Sequence, residues 1–299
     1  MSMFNIYIIR GGVFNMNAKG RTISMDQINE YVDNLREQER AENTVNQYKS
    51  HLLLFVLWLD GRMLTKQEAI HWKQQLSEKY ASSTVNTMLA AVNGFFRYMG
   101  WNDVIVKLLK VQKALFRDES RELSCKEYER LVRAADRQGN TRVSLLIQTI
   151  CATGIRVSEL RFITVEAVQK GKTEVFNKGK RRMIFLPTQL CRLLRSYIQS
   201  KNIKSGTIFI TKSGKPIDRS NIWRYMKALC EKAGVDPTKV FPHNLRHLFA
   251  RMFYAKEKDA YRLADVLGHS SINTTRIYTI ESGFTHAKLV NKLQLVVTT

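Results

Sequence analysis

Cysteine is scarce: four residues in 299, at positions 125, 151, 191 and 230, and no two of them in a CxxC spacing. That excludes a zinc ribbon and a small disulfide framework, and it suits a reducing, cytoplasmic setting. Long apolar runs are missing as well. No stretch approaches the roughly 20 residues of a membrane span, and "MFNIYIIR" near the start is too short and lacks the basic lead of a secretory signal, so no membrane partner is expected. Neither an internal repeat nor a low-complexity tract is present, which excludes solenoids and propellers. The last shortage is of negative charge: 26 Asp and Glu stand against 48 Lys and Arg, a net charge of +22. Solubility needs far less, and the basic residues run through segments that read as folded, not through a detachable tail. A polyanion is the natural partner, nucleic acid before a membrane surface.

What is present is the composition of a soluble globular chain, 44% hydrophobic and 25% charged, long enough for two domains. Residues 1–23 read as an N-terminal extension. From Ser24 to Val106 four amphipathic helices follow: "MDQINEYVDNLREQ", "ENTVNQYKSHLLLFVLWLD", "TKQEAIHWKQQLSEKY" and "SSTVNTMLAAVNGFFRYMG". Val45, Tyr48, Leu52, Phe55, Val56 and Leu59 recur at helical spacing, as do Val85, Met88, Leu89, Val92, Phe95 and Phe96, so these side chains form the core of a compact bundle. Residues 107–121 are charged and lose the sustained apolar face, as an interdomain linker does. The second domain takes residues 122–299. It opens with two helices, "SCKEYERLVRAAD" and the almost wholly apolar "VSLLIQTICATG". A β-hairpin, "KTEVFNKGKRRMIFLP", follows, then helices near 188–200 and 220–233, and the tail ends in a short apolar helix, "THAKLVNKLQLVV". The fold class is mainly α, a helical bundle followed by a mostly helical domain with a small β-hairpin.

The chemistry begins at "PHNLRH". His243 and His247, four apart on a helix, share one face as zinc ligands do. A zincin needs Glu after its first His, where this chain has Asn244, and Arg246 puts a permanent cation where the metal would sit. A metal site is therefore not expected; His247 reads as a packed, satisfied histidine. Arg246 and His243, three apart, are better suited to one phosphate. Two further stretches carry candidate residues. In "ATGIRVSEL", Gly154 closes a buried helix and Arg156 and Glu159 lie three apart; in "LGHSSINTTRIYT", Gly268 stops a helix, Ser270 or Ser271 caps the next, and the break lets His269 and Tyr278 converge.

Arg156 in "TGIRVSEL", His243 and Arg246 in "HNLRH", His269 in "LGH" and Tyr278 in "INTTRIYT" resemble, in order, the active-site boxes of the tyrosine recombinase (phage integrase) family, in its short, Xer-like form. The likeness spans most of residues 120–285, and residues 24–106 are similar to the family's core-binding, SAM-like domain. It implies that Tyr278 is the nucleophile, that Arg156 and Arg246 hold the transition-state phosphate, that His243 assists the phenol and that His269 donates to a phosphate oxygen. Glu159 orients Arg156 or His243, and His247 supports. A hairpin lysine protonates the leaving 5′-hydroxyl. Lys178 is the first candidate, although the family's "GKG" is "NKG" here and leaves Lys180 and Lys172 open; Lys180, Arg181 and Arg182 contact DNA. The likeness further implies a clamp on double-stranded DNA, a homotetramer on paired sites, accessory DNA-bending proteins, and no cofactor, because the phosphotyrosine conserves the bond energy. A monomeric relaxing enzyme would share the chemistry; a purely architectural DNA-binding protein would have no need of Tyr278.

Overall fold

The computed structural model describes residues 21–111, 119–177, 180–211, 213–269, 271–279 and 291–292. It divides into two compact units, Met1–Lys113 and Ala114–Thr299. In the first, α1 (Met25–Glu37), α2 (Glu42–Leu59), α3 (Lys66–Lys79) and α4 (Ser82–Tyr98) form a helical bundle. Ser24 starts α1 with a capping box: its side chain accepts from the Gln27 main chain while Gln27 reaches back to its N–H, satisfying two donors that a helix start leaves over. Phe55, Phe95 and Phe96 are fully buried at the centre, and Trp72 packs on Phe55 with ring centroids 4.8 Å apart. Of the residues expected in this core, Tyr48 and Val56 pack only against its edge.

Both ends of the bundle extend beyond the boundaries read from the sequence. Arg21, assigned to the extension, accepts the Leu64 N–H on its carbonyl at 3.0 Å and pairs with Asp103 at 2.6 Å. Residues 107–109, assigned to the linker, are fastened to α4. Asn93 bonds both the N–H (3.1 Å) and the carbonyl (2.8 Å) of Val106, and Asn86, two turns earlier on the same face, does the same for Leu109 at 2.7 and 2.9 Å. Lys66 and Lys73 donate to the carbonyls of Ile105 and Lys107. A primary amide carries an N–H donor and a carbonyl acceptor side by side on one planar group, so it can pair with a main-chain carbonyl and N–H together, which apolar periodicity does not register. Replacing Asn93 by Leu strands two buried main-chain groups, so it should destabilise this segment by about 2 kcal/mol. Hydrogen exchange at the Val106 amide should quicken accordingly; an unchanged rate would show that the segment holds without the clamp.

The second unit is mainly helical. α5 (Cys125–Arg137) and α6 (Thr141–Thr153) lead to a 3₁₀ turn, Val157–Phe162, and α7 (Val165–Lys170). Strands β1 (Lys172–Asn177) and β2 (Lys180–Phe185) pair antiparallel, Lys172 opposite Phe185 and Asn177 opposite Lys180. Then come α8 (Thr188–Ser200), α9 (Arg219–Lys227), α10 (Cys230–Ala233), α11 (Pro242–Glu257), α12 (Ala260–Leu267) and α13 (Ile272–Thr279). The single helix expected near 220–233 is divided where Leu229 N–H bonds the Met226 carbonyl, a tighter turn than an α-helix makes. The core gathers around α6, where Leu146, Ile147 and Ile150 are buried. Among the described residues no helix is long and apolar enough to cross a membrane. The expected C-terminal helix lies outside the described residues except for Asn291 and Lys292, which are helical and exposed.

Candidate active site

α6 ends at Gly154 with φ at 61°, and a Cβ there would stand 2.4 Å from the Phe249 ring, so only glycine meets both demands. Its carbonyl accepts from Nη1 of Arg246. Arg156 follows in extended conformation; its main-chain N–H donates to Glu159 Oε2 at 2.9 Å and its Nη1 to Oε1 at 3.0 Å. The 3₁₀ turn brings the partners together. Glu159 is only 2% exposed, so the pair is no surface ornament. Burial alone would raise its carboxyl, but the Arg156 main chain and the charges of Arg182 and Arg156 outweigh that and hold it below the usual range.

At the end of α12, three consecutive carbonyls each take one guanidinium. Val266 accepts from Arg182 Nη1 at 2.7 Å, Leu267 from Arg246 Nη2 at 2.7 Å and Gly268 from Arg156 Nη2 at 3.0 Å. The last carbonyls of a helix have no partner within it, and the helix end carries partial negative charge, so it is a natural dock for cations. It gathers three of them against one buried carboxylate. Arg246 is 1% exposed and its guanidinium is pushed down to about 10, by burial first and then by Arg156 and Arg182. An arrangement with that surplus is completed by an anion.

His269 follows Gly268 directly. Its Nε2 lies 3.3 Å from Arg246 Nη2 and its Nδ1 2.8 Å from Thr275 Oγ1. Since a guanidinium only donates, Nε2 is the acceptor and the proton sits on Nδ1, facing Thr275. Thr275 is fully buried and three residues before Tyr278 on α13. The Tyr278 ring stacks on His269 with centroids 6.0 Å apart and meets His247 edge-on at 5.0 Å, and it is 4% exposed. Burial raises its phenol, while Arg246 and Arg156 pull the other way. His243 and His247 do share a face of α11, their rings 4.3 Å apart. Desolvation first, and then the nearby arginines, lowers all three histidines, His247 and His269 to about 4, so they are neutral at pH 7.

The structure therefore brings Arg156, Glu159, His247, Arg246, His269 and Tyr278 into one cradle, with His243 at its edge. Two readings need correction. His247 is packed but not satisfied: its Nε2 is buried with no hydrogen-bond partner among the described residues. Arg182 was grouped with Lys180 and Arg181 as a DNA contact, yet neighbours on a strand face opposite ways. Arg181 is exposed and pairs loosely with Glu174 at 3.9 Å, whereas Arg182 turns inward and donates to Glu159 Oε2 at 2.5 Å. Lys172 stands exposed at the end of the hairpin away from the turn. Lys178 lies outside the described residues, as does the side chain of Lys180. Asn244, where a zincin has its Glu, ties the Arg121 and Lys239 carbonyls at 3.0 and 2.7 Å. Thr275 escaped sequence reasoning, although its one-turn spacing from Tyr278 was there to read. Ser271 caps α13, accepting the Asn273 N–H at 3.2 Å; Ser270 is outside the described residues.

Residues 28–102 match the N-terminal SAM-like domain of phage integrases, and residues 121–282 match the Phage integrase family. Tyrosine recombinase XerA of Pyrococcus furiosus is 28% identical over 269 residues, covering 87% of this chain and 91% of its own. Tyrosine recombinase XerD of Pseudomonas aeruginosa is 29% identical over 279 residues, covering 86% and 93%. Among solved structures, XerH site-specific recombinase bound to its difH substrate before cleavage superposes with a TM-score of 0.65 at 20% identity, over 90% of this chain and 85% of that one. A lambda integrase tetramer bound to a Holliday junction gives 0.68 at 18%, over 85% and 76%. At such identities the structures establish the shared fold. The family match spans more than half of the chain and holds every residue of the cradle, and the protein belongs to the phage integrase family, the tyrosine-type site-specific recombinases.

Proposed function

We propose that this recombinase, working in the cytoplasm, cuts and rejoins double-stranded DNA through a covalent 3′-phosphotyrosine on Tyr278. The phenol oxygen attacks the scissile phosphorus as the bond to the 5′-oxygen breaks. The phenol proton passes to a neutral imidazole, His243 in this reading, and the leaving oxygen takes a proton from the hairpin lysine, Lys178, or Lys180 in its place. Lys172 is set aside by its place at the far end of the hairpin. Charge that accumulates on the non-bridging oxygens meets Arg156 and Arg246, permanent planar donors already fixed before the substrate arrives. A bound phosphate offsets the arginines that depress His269 and so favours its protonation, which lets Nε2 donate to oxygen. One phosphodiester is exchanged for another of similar energy, so the partner strand can rejoin without ATP. The observation that carries this reading is the place of Tyr278, buried against His269 in a cradle that holds three guanidiniums.

XerH bound to difH and a lambda integrase tetramer on a Holliday junction support action on paired duplex sites by four protomers. The biological setting is integration and excision of a mobile element or resolution of dimers, and direct repeats flanking the gene would single out the former. The test uses a duplex carrying those flanking sequences, interrupted just beyond the cut so that the freed 5′ end diffuses away. Wild-type protein should accumulate as a covalent adduct on the 3′ end, undiminished by EDTA, because arginines do here what metal ions do elsewhere in phosphoryl transfer. An adduct on the 5′ end, or activity lost to EDTA and restored by zinc, would overturn the mechanism.

A further inference from the structure

We infer that Arg182, whose two terminal nitrogens donate to Glu159 and to the Val266 carbonyl, is the positioning residue that keeps Arg156 aligned for catalysis. The inference rests on the reading of Arg156 as a phosphate-holding residue. Arg156 is held at two points: the Glu159 carboxylate and the Gly268 carbonyl. Arg182 secures the surroundings of both. Its Nη2 donates to Glu159 Oε2 at 2.5 Å, the oxygen that also accepts the Arg156 main-chain N–H, and its Nη1 donates to the Val266 carbonyl at 2.7 Å, two residues before Gly268. A single planar fork thus joins β2, the Arg156 turn and the end of α12, elements far apart in sequence.

Two further features show that the contact is built for arginine. The Arg182 side chain is 9% exposed, and its Nε is buried without a partner among the described residues, an arrangement that a strand inserted merely for packing would fill with an aliphatic residue. A Cβ at Gly268 would stand 2.4 Å from Arg182 Cδ, so the stem of Arg182 occupies the space that glycine leaves there. Without the fork, Glu159 Oε2 loses a charged donor and the end of α12 loses its tie to β2, so both points that hold Arg156 are less constrained. A carboxylate that also accepts from a second, buried guanidinium holds the first within a narrower range of positions.

The test is a double-mutant cycle on the rate of adduct formation in a single turnover, using the full chain and the interrupted duplex. Lysine at 182 keeps the charge but reaches only one of the two acceptors. Arg156→Ala should slow cleavage on the order of 100-fold, as loss of one transition-state donor does. Arg182→Lys should slow it about tenfold, with duplex affinity within about twofold of wild type, and in the Arg156→Ala background it should cost less than about twofold. An equal tenfold loss in both backgrounds, or a wild-type rate for Arg182→Lys, overturns the inference. A wild-type rate for Arg156→Ala removes the phosphate-holding reading and the inference with it. If Arg182→Lys does not fold, Arg182→Met, which keeps the stem and removes the fork, enters the same cycle with the same expected loss of additivity.

Discussion

Tyr278→Phe is expected to abolish covalent capture of the interrupted duplex while leaving specific DNA binding within about twofold, since only the nucleophilic oxygen is lost. The ring that packs on His269 and His247 remains. Removal of a buried hydroxyl from a site that raises its pKa should change stability by about 1 kcal/mol at most, so the variant folds and binds. A denaturing gel reads the adduct and a band shift reads the affinity. Equal adduct yield from the variant would take Tyr278 out of the mechanism, and a parallel collapse of binding would mean that the phenol holds DNA and does not attack it.

The second large effect concerns the leaving group. A 5′-alkoxide is a poor one, and a positioned acid contributes about 10²–10⁴-fold, so Lys178→Ala should slow cleavage of ordinary DNA by that order. Replacing the bridging 5′-oxygen by sulfur should restore the rate almost fully, because a thiolate departs without a proton. Lys180→Ala should weaken ordinary and sulfur substrates alike, as loss of a phosphate contact does. Sulfur rescue of Lys180→Ala with none for Lys178→Ala would move the acid to Lys180, and rescue of neither would place it off the hairpin.

Much of this protein was legible one residue at a time. The helices of the first unit follow from apolar side chains at three- and four-residue intervals, and the buried run of α6 from a stretch in which apolar side chains predominate. The cradle residues were legible because they fall, in a fixed order, on short motifs that resemble those of a known family: two arginines, three histidines and a tyrosine, with their own punctuation beside them. Gly154 and Gly268, marked as helix stops, both take left-handed conformations, and the carbonyls at those stops are the ones that grip Arg246 and Arg156.

Sequence by itself determined the element types, the polyanion partner and the identity of the cradle residues, because these depend on local periodicity, on summed charge and on motif. Tertiary structure alone decided which direction each cation points. Arg181 and Arg182 are equal in composition and adjacent in sequence, but β-strand alternation, visible only once Val175 is paired opposite Arg182, sends one to solvent and the other to Glu159. The same holds for Asn86 and Asn93, whose amides read as ordinary polar positions until the segment at 106–109 is laid against them. A side chain's partner far along the chain leaves no periodic trace, since the hydrogen bond is satisfied by a main-chain group that every residue possesses.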